Sequence, residues 1–390
     1  MRVAWHVVTM VLGALLAVSA HAKEGDTFRP FVSYARHYDS NLFRLAESEY
    51  ALVPERSDQY GVLSAGVNMD WQPGRQRIIA SASKSQVRYA RNSYLDYDGS
   101  DYQLRWNWRV GNPWSGLVGA TQSVTQSSFS DLSGLRINNQ VTRENQFANV
   151  DWQLHPRWNL GLAADAATST NSTVQQASQD YEDKSVAASL GYTTPKGSSL
   201  RGQLRRVEGK YPNRLANTFV ERAYTQTEYN LLGDWSVSGK LVTHARVGYV
   251  VRDNDTARSG FSSLAGRLSV DYLSTAKTGL NWAVYRELSN SDDINASYQV
   301  NTGTSLGASW VATAKVTLYA GAAFENRLFK DTGGLNQRDE DTLSGSLTMR
   351  YAPIRMAALD VGVQAGRRNS NVAINDYKFH GVFMNVRADF

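Results

Sequence analysis

Apolar and polar residues alternate along most of this chain, and short turns interrupt the alternation at regular intervals. Val150, Trp152 and Leu154 fall on one face of an extended segment, and polar residues fall on the other. Residues 155–157 contain a proline, after which the alternation resumes. A period of two with one apolar face is typical of a β-strand, and a proline between two strands indicates a turn. The stretch therefore predicts a tight β-hairpin with one apolar face.

The same unit, an aromatic residue that ends a strand just before a short polar turn, recurs along the whole chain. Neighbouring units are 37 to 44 residues apart. That spacing leaves room for two strands of about ten residues and one longer loop, and not for a four-stranded propeller blade. We expect the eight aromatic residues to lie at one level of the sheet: Trp71, Trp108, Trp152, Tyr192, Trp235, Tyr272, Trp310 and Tyr351.

The hairpin count predicts the architecture. Eight short turns and longer loops between the remaining strands give about eighteen strands, with sixteen possible if the first and third strands are misassigned. The face opposite the aromatic residues carries Gly, Ser, Asn, Gln, Asp and Arg, which water can solvate and a dry protein core cannot. Short turns on one side, longer loops on the other and aromatic girdles are typical of bacterial outer-membrane barrels. We therefore expect an all-β fold, a transmembrane antiparallel β-barrel without a plug domain.

The first 22 residues have the pattern of a secretory signal peptide. Arg2 provides a basic start, residues 7–18 form an apolar core, and Ala20 and Ala22 frame a cleavage site. The apolar run is shorter than the roughly 18–20 residues that a membrane helix needs. We therefore expect cleavage near Ala22, a barrel domain over residues 23–390, and a location in the outer membrane of a Gram-negative bacterium.

Charge, cysteine content and the last strand narrow the class of protein further. The chain has 41 basic and 36 acidic residues, a balance that does not favour nucleic acid as a partner. It has no cysteine, so no disulfide stabilises the fold. The alternation of the last strand continues to Phe390, and this ending resembles the signal that the outer-membrane assembly machinery recognises. The expected partners are outer-membrane lipid and that machinery, and no cofactor is predicted.

The polar face of the barrel is the candidate functional surface. An eighteen-strand barrel is too wide for side chains to fill, so this face is expected to line an aqueous lumen. Guanidinium groups bind carboxylates and phosphates through paired hydrogen bonds, and rings of arginine favour anions. Alternatively, the arginines pair with carboxylates of neighbouring strands and only solvate the lumen. The candidate substrate-binding residues are Arg105, Arg109, Arg201, Arg205, Arg246, Arg267, Arg327, Arg350, Arg368 and Arg387.

Three further groups of side chains could carry chemistry. Four acids precede girdle aromatics directly and are expected to ring the periplasmic mouth: Asp70, Asp151, Asp234 and Asp271. Seven tyrosines near loop ends could stack on sugar rings, although an outer interfacial girdle is favoured: Tyr89, Tyr94, Tyr97, Tyr181, Tyr211, Tyr224 and Tyr377. His244 is expected to face the lumen, but no Ser or Asp at a telling spacing commits it to catalysis. Neither an enzyme activity nor a metal site is predicted.

The segment Tyr34–Leu45 carries a family resemblance. Its sequence Y-A-R-H-Y-D-S-N-L-F-R-L resembles the opening of the EpsL-like outer-membrane proteins, β-barrel porins encoded with exopolysaccharide biosynthesis genes. These proteins typically begin with an aromatic strand followed by Y-D-x-N-[IL]-[FL]-R. The resemblance implies export of an extracellular polysaccharide, with that polysaccharide and periplasmic export components as partners, and it assigns no residue roles. In architecture the chain is also similar to an eighteen-strand, arginine-lined alginate exporter.

Two functions follow from the sequence. The favoured hypothesis is an outer-membrane channel that exports an extracellular polysaccharide through a polar, arginine-bearing lumen. The alternative is a general or sugar-selective diffusion porin for small solutes. The two hypotheses share the barrel and differ in the size of the solute that passes.

Overall fold

The alternating segments form eighteen antiparallel strands in one closed sheet. The computed structural model describes residues 27–53, 55–131, 135–215, 221–255, 260–290, 296, 298–330 and 337–390. Each strand pairs with its sequence neighbours, and β1 also pairs with β18, which closes the barrel. The strands are β1 (Phe28–Asp39), β2 (Asp58–Trp71), β3 (Arg77–Tyr89), β4 (Tyr97–Val110), β5 (Trp114–Gln126), β6 (Gln140–His155), β7 (Trp158–Asn171), β8 (Tyr181–Thr193), β9 (Ser199–Lys210), β10 (Ala223–Ser238), β11 (Leu241–Asn254), β12 (Phe261–Thr275), β13 (Thr278–Asn290), β14 (Tyr298–Val311), β15 (Val316–Lys330), β16 (Asp339–Ile354), β17 (Ala357–Ser370) and β18 (Tyr377–Asp389).

The eight short turns lie where the sequence predicts them, each joining an even-numbered strand to the next odd-numbered one. Gly74, Gly111 and Gly197 stand in three of these turns with φ of 63°, 59° and 84°. Side chains with a Cβ rarely adopt this conformation, so glycine permits the tight reversal. The start of β1 and the end of β18 lie on the short-turn side, and the described parts of the longer loops lie at the opposite end.

Several strands extend further toward the long loops than the alternation predicts. β8 begins at Tyr181, five residues before the regular alternation that starts at Val186, and its partner β7 continues to Asn171. In this extension Thr168 pairs with Glu182 on the outer face. Strands that continue beyond an apolar belt carry polar residues on both faces. The alternation in the sequence therefore ends before the hydrogen-bonded ladder does.

The outer face carries an apolar belt bordered by the predicted girdle. Trp71, Trp235 and Trp310 are 48%, 63% and 51% exposed at the short-turn end. Polar and charged residues occupy the opposite face of the same strands, so the barrel has an apolar outside and a polar inside. No helix among the described residues is long and apolar enough to cross a membrane. The described residues form no plug domain, and the predicted signal peptide lies outside them.

An aromatic ladder crosses the place where the first and last strands meet. His37 of β1 stacks on Tyr60 of β2 at 4.7 Å between ring centroids and lies 5.8 Å from Phe383 of β18. Tyr60 in turn lies 5.1 Å from Tyr89 of β3. Cross-strand aromatic contacts stabilise a sheet beyond its backbone hydrogen bonds. This ladder therefore helps to hold the closing seam together.

Candidate functional site

The strand register places all ten candidate arginines at inner-face positions of the barrel. In β4, for example, Leu104 and Trp106 are exposed on the outer face, so Arg105 between them points inward. The four acids predicted at the short-turn mouth share this face. The pairing of these residues within the wall determines which of them have a charge available to a solute.

Most of the candidate arginines pair with carboxylates of the barrel wall, which lie on the same strand or one to three strands away. Arg205 lies 3.3 Å from Asp165 and 3.2 Å from Glu228, so it joins the inner faces of β7, β9 and β10. Arg246 and Arg267 share Glu287, at 2.7 and 3.5 Å. Further pairs are Arg201 with Asp151 (3.4 Å), Arg350 with Asp360 (3.9 Å) and Arg387 with Asp389 (2.7 Å). These arginines therefore follow the alternative raised in the sequence analysis, in which arginines pair with carboxylates of the wall.

Arg105 and Arg109 differ from the others because neither guanidinium has an acidic partner within the described part of the chain. Both are exposed on the inner face of β4. Arg143 of β6 is a third exposed, unpaired arginine on the same side of the lumen. The sequence analysis missed Arg143, although its spacing of eight residues from inward-facing Asp151 on the same strand places it on the inner face. These three residues form the free basic wall.

Arg327 and Arg368 point inward but are buried, contrary to the expectation that they line open lumen. They converge with Arg338 on Glu340, whose side chain is 0% exposed. The nitrogen–oxygen distances are 3.2 Å from Arg327, 3.0 Å from Arg338 and 3.5 Å from Arg368. Long-loop segments cover this cluster, which is why alternation alone misjudged it.

The described parts of the first three long loops pack together into a structure that we call the loop cap, residues 40–53, 55–57, 90–96, 127–131 and 135–139. Its apolar centre contains Phe43, which is 2% exposed and meets Phe129 edge-on at 5.1 Å. The other buried members are Leu42, Leu45, Val53 and Leu95. Asn138 of the third loop donates to two backbone carbonyls of the second. The cap is thus a small folded unit at the mouth of the barrel.

The residues that carry the family resemblance build this cap. Asp39 accepts two hydrogen bonds from the Arg44 guanidinium, at 2.9 and 2.8 Å. The Asn41 amide donates to the carbonyls of Leu45 and Lys378. Arg44 has φ of 55° and lies 3.9 Å over the Phe379 ring of β18. In this protein, therefore, the motif orders the first loop against the barrel wall.

Two hydrogen-bonded ties span the inside of the barrel near the long loops. Arg368 of β17 donates to the Ser130 carbonyl of the loop cap at 2.7 Å. Asn290 of β13 donates to Asp183 of β8 at 3.0 Å, and Asp183 also accepts from Tyr224 at 2.7 Å. β8 and β13 lie five places apart in the ring of eighteen, and Ser130 lies in the loop after β5, which is six places from β17. The ties and the cap therefore narrow the lumen at this end.

The expectation of an outer girdle built from loop-end tyrosines is wrong. Tyr211, Tyr224 and Tyr377 are 2%, 6% and 8% exposed and pack in clusters on the inner side. Burial raises the pKa of Tyr211 to about 12, so its hydroxyl stays neutral. The Arg252 guanidinium lies 3.4 Å from the centre of the Tyr224 ring. Tyr89 packs against the apolar centre of the loop cap, and Tyr181 packs against Tyr211 and Tyr224. Tyr97 also lies on the inner face. Only Tyr94, in a loop, is largely exposed, at 52%.

His244 has closer acidic neighbours than the sequence analysis recognised. Its Nδ1 lies 2.6 Å from Asp234, and its Nε2 lies 3.9 Å from Asp271. The hairpin register pairs Asp234 with His244, a signal available from the turn position. Ser199 donates to Asp234 rather than to the imidazole, so these groups do not form a serine–histidine relay. The described residues contain no group of three or more potential ligands placed to hold a metal ion.

Comparisons with known proteins agree with this architecture. Residues 136–390 match the sequence model of a family described as "Putative beta-barrel porin 2". OpdK of Pseudomonas aeruginosa, solved with vanillate, has a TM-score of 0.50 at 12% identity, covering 93% of this chain and 99% of that one. A BenF-like porin from Pseudomonas fluorescens Pf-5 has a TM-score of 0.50 at 7% identity, covering 94% and 99%. These two likenesses concern the fold alone. A comparison with curated proteins found no match.

Proposed function

This chain belongs to the family described as "Putative beta-barrel porin 2", and from that premise we propose that it is a diffusion channel for small polar solutes that favours anions. The free basic wall carries the proposal. Arg105, Arg109 and Arg143 offer guanidinium groups that no described carboxylate neutralises, whereas most inner-face arginines are paired. Unpaired guanidinium groups attract and bind carboxylates, because their donors are not already engaged.

The narrowed mouth supports small solutes over the export of a polymer. A polysaccharide chain would have to pass the loop cap and both cross-lumen ties. The resemblance of Tyr34–Leu45 to EpsL-like proteins implies export. The structural role of Asp39, Asn41 and Arg44 in the loop cap accounts for this motif without export. OpdK, which shares the fold, was solved with vanillate, so a barrel of this fold can accommodate a small carboxylate.

Reversing the charge of the free basic wall should change ion selectivity. We expect Arg105→Glu/Arg109→Glu to turn an anion-favouring channel toward cations. A unit charge at about 4 Å in water contributes roughly 1 kcal/mol, about a fivefold effect on local ion concentration. The reversal potential across a planar bilayer under a salt gradient measures this change.

A charge-matched control separates the lumen from the rest of the surface. Arg88 and Arg206 lie on the outer face and pair with Asp98 and Glu208. Arg88→Glu/Arg206→Glu should therefore leave the reversal potential unchanged. Equal shifts in both double variants would rule out a role for the basic wall in selectivity.

Solute size distinguishes the diffusion channel from the exporter. We expect proteoliposomes with the purified protein to admit monosaccharides and small organic anions and to exclude long dextrans. Swelling rates in isosmotic solutes measure admission. Deleting the gene should leave secreted polysaccharide at its normal level; loss of that polysaccharide, together with dextran entry, would favour export instead.

A further inference from the structure

A groove of about 420 Å³ follows the inner wall across β13 to β17. Its floor is one row of paired positions on five strands, Asn281, Gly307, Gly321, Ser346 and Gln364. The next row toward the long loops contributes Ser305, Ala323 and Ser344. The wall recedes here because most of these side chains are small.

Two inward-facing tyrosines bound the groove along the barrel axis. On the long-loop side, Tyr285 covers Gly303 and donates its hydroxyl to Glu325 at 2.7 Å. On the short-turn side, Tyr319 is 42% exposed, two residues before Gly321 on the same strand. The groove is therefore an open concavity that lies between an aromatic side chain on the long-loop side and another on the short-turn side.

The polar groups of the groove are available to a ligand. The side-chain amides of Asn281 and Gln364 form no hydrogen bond with any other described residue, and the hydroxyls of Ser305, Ser344 and Ser346 likewise have none. Elsewhere on the inner face, amides such as those of Asn159 and Asn385 donate to the carboxylates of Asp151 and Asp360. Each free amide offers both donors and an acceptor.

The lining selects a class of ligand. No charged side chain lines the groove, so nothing there would compensate an anion or a cation for lost hydration. The face of Phe379, the one aromatic side chain in the lining, is covered by Arg44. Amides and hydroxyls between two aromatic ends instead match a neutral ring that carries many hydroxyl groups. We propose that the groove is a subsite for an uncharged sugar ring, an inference that rests on the proposed function because the solute must enter the lumen.

The sugar subsite is tested by measuring how sugars block the ion current through the channel in planar bilayers. Glucose and maltose added to the wild-type channel should interrupt ion current, and noise analysis gives the half-blocking concentration. Asn281→Ala/Gln364→Ala removes two hydrogen-bonding partners and should raise that concentration about tenfold, with sugar-free conductance retained. Asn68→Ala/Gln103→Ala, which removes inner-face amides of β2 and β4, is the matched control and should leave it unchanged.

The outcomes separate the groove from the channel itself. Equal half-blocking concentrations in the wild type and in Asn281→Ala/Gln364→Ala would overturn the proposed sugar subsite. A wild-type channel that conducts ions but is blocked by no sugar would overturn it as well. A wild-type protein without ion conductance overturns the proposed function instead. Ser346→Ala, which removes one hydroxyl and keeps a small side chain, should also weaken block if the double variant does not fold. Long dextran distinguishes the source of the bound ring. Block by glucose and maltose alone would show that the groove takes free sugars. Additional block by dextran would show that it takes sugar units of a longer glycan.

Discussion

Replacing Phe43 by alanine is expected to loosen the loop cap and raise single-channel conductance. The Phe43 side chain is 2% exposed, and its removal leaves a cavity at the centre of the cap. Truncation of a buried phenylalanine costs about 3–5 kcal/mol, which is large compared with the stability of a small loop cluster. Hydrogen exchange of residues 40–53 and 135–139 should accelerate, because the cap opens more often.

A leucine in the same loop provides the control for this prediction. Leu52 is 79% exposed, so Leu52→Ala removes an apolar side chain without leaving a cavity. Exchange rates and conductance should then match the wild-type values. Unchanged exchange and conductance in Phe43→Ala would show that the loops do not depend on this apolar centre.

Replacing Glu340 by alanine is expected to destabilise the mouth of the barrel and release the Arg368 tie. Glu340 is 0% exposed and is the shared partner of Arg327, Arg338 and Arg368. Removal of one partner from a buried ion cluster typically costs about 3–5 kcal/mol, because the remaining charges lose their compensation. The free energy of unfolding in lipid should fall by that order, and conductance should rise as the third loop leaves the wall.

An exposed ion pair at the same end of the barrel calibrates the effect. Glu182 and Lys210 are paired at 2.9 Å with side chains 37% and 57% exposed. Glu182→Ala should change the free energy of unfolding by only about 0–1 kcal/mol, because water already solvates both groups. If Glu340→Ala were as mild as Glu182→Ala, the buried cluster would not hold the third loop.

The family motif illustrates how a sequence resemblance can mark structure rather than transport. Asp39, Asn41 and Arg44 match the pattern of the EpsL-like proteins, and the resemblance implied polysaccharide export. In the folded chain, Asp39 fixes the Arg44 guanidinium, and the Asn41 side chain binds both the N–H and the carbonyl of Leu45. A motif can thus persist wherever a first loop must dock on a barrel wall, whatever passes through the channel.

The loop-end tyrosines show which contacts the alternation of apolar and polar residues cannot predict. Within the apolar belt, lipid on one side and water on the other impose a period of two, so the alternation of Leu104 and Trp106 with Arg105 decides their faces. Beyond the belt both faces meet water or loops. Alternation still places Tyr224 inside, ten residues before inward-facing Asp234 on β10, but its contacts with Arg252 and Tyr211 come from other segments, which no local pattern records.

The sequence by itself determined the barrel, a count of eighteen or sixteen strands, the eight short turns and the inner face of every candidate arginine, because these features depend on local alternation and turn chemistry. Only the tertiary structure decided which arginines are neutralised, since Arg205 finds Asp165 and Glu228 on two different strands. It also decided that loops close over Arg368, because the Ser130 contact joins residues 238 positions apart. Pairing and constriction arise from separations along the chain that a pattern of period two cannot encode.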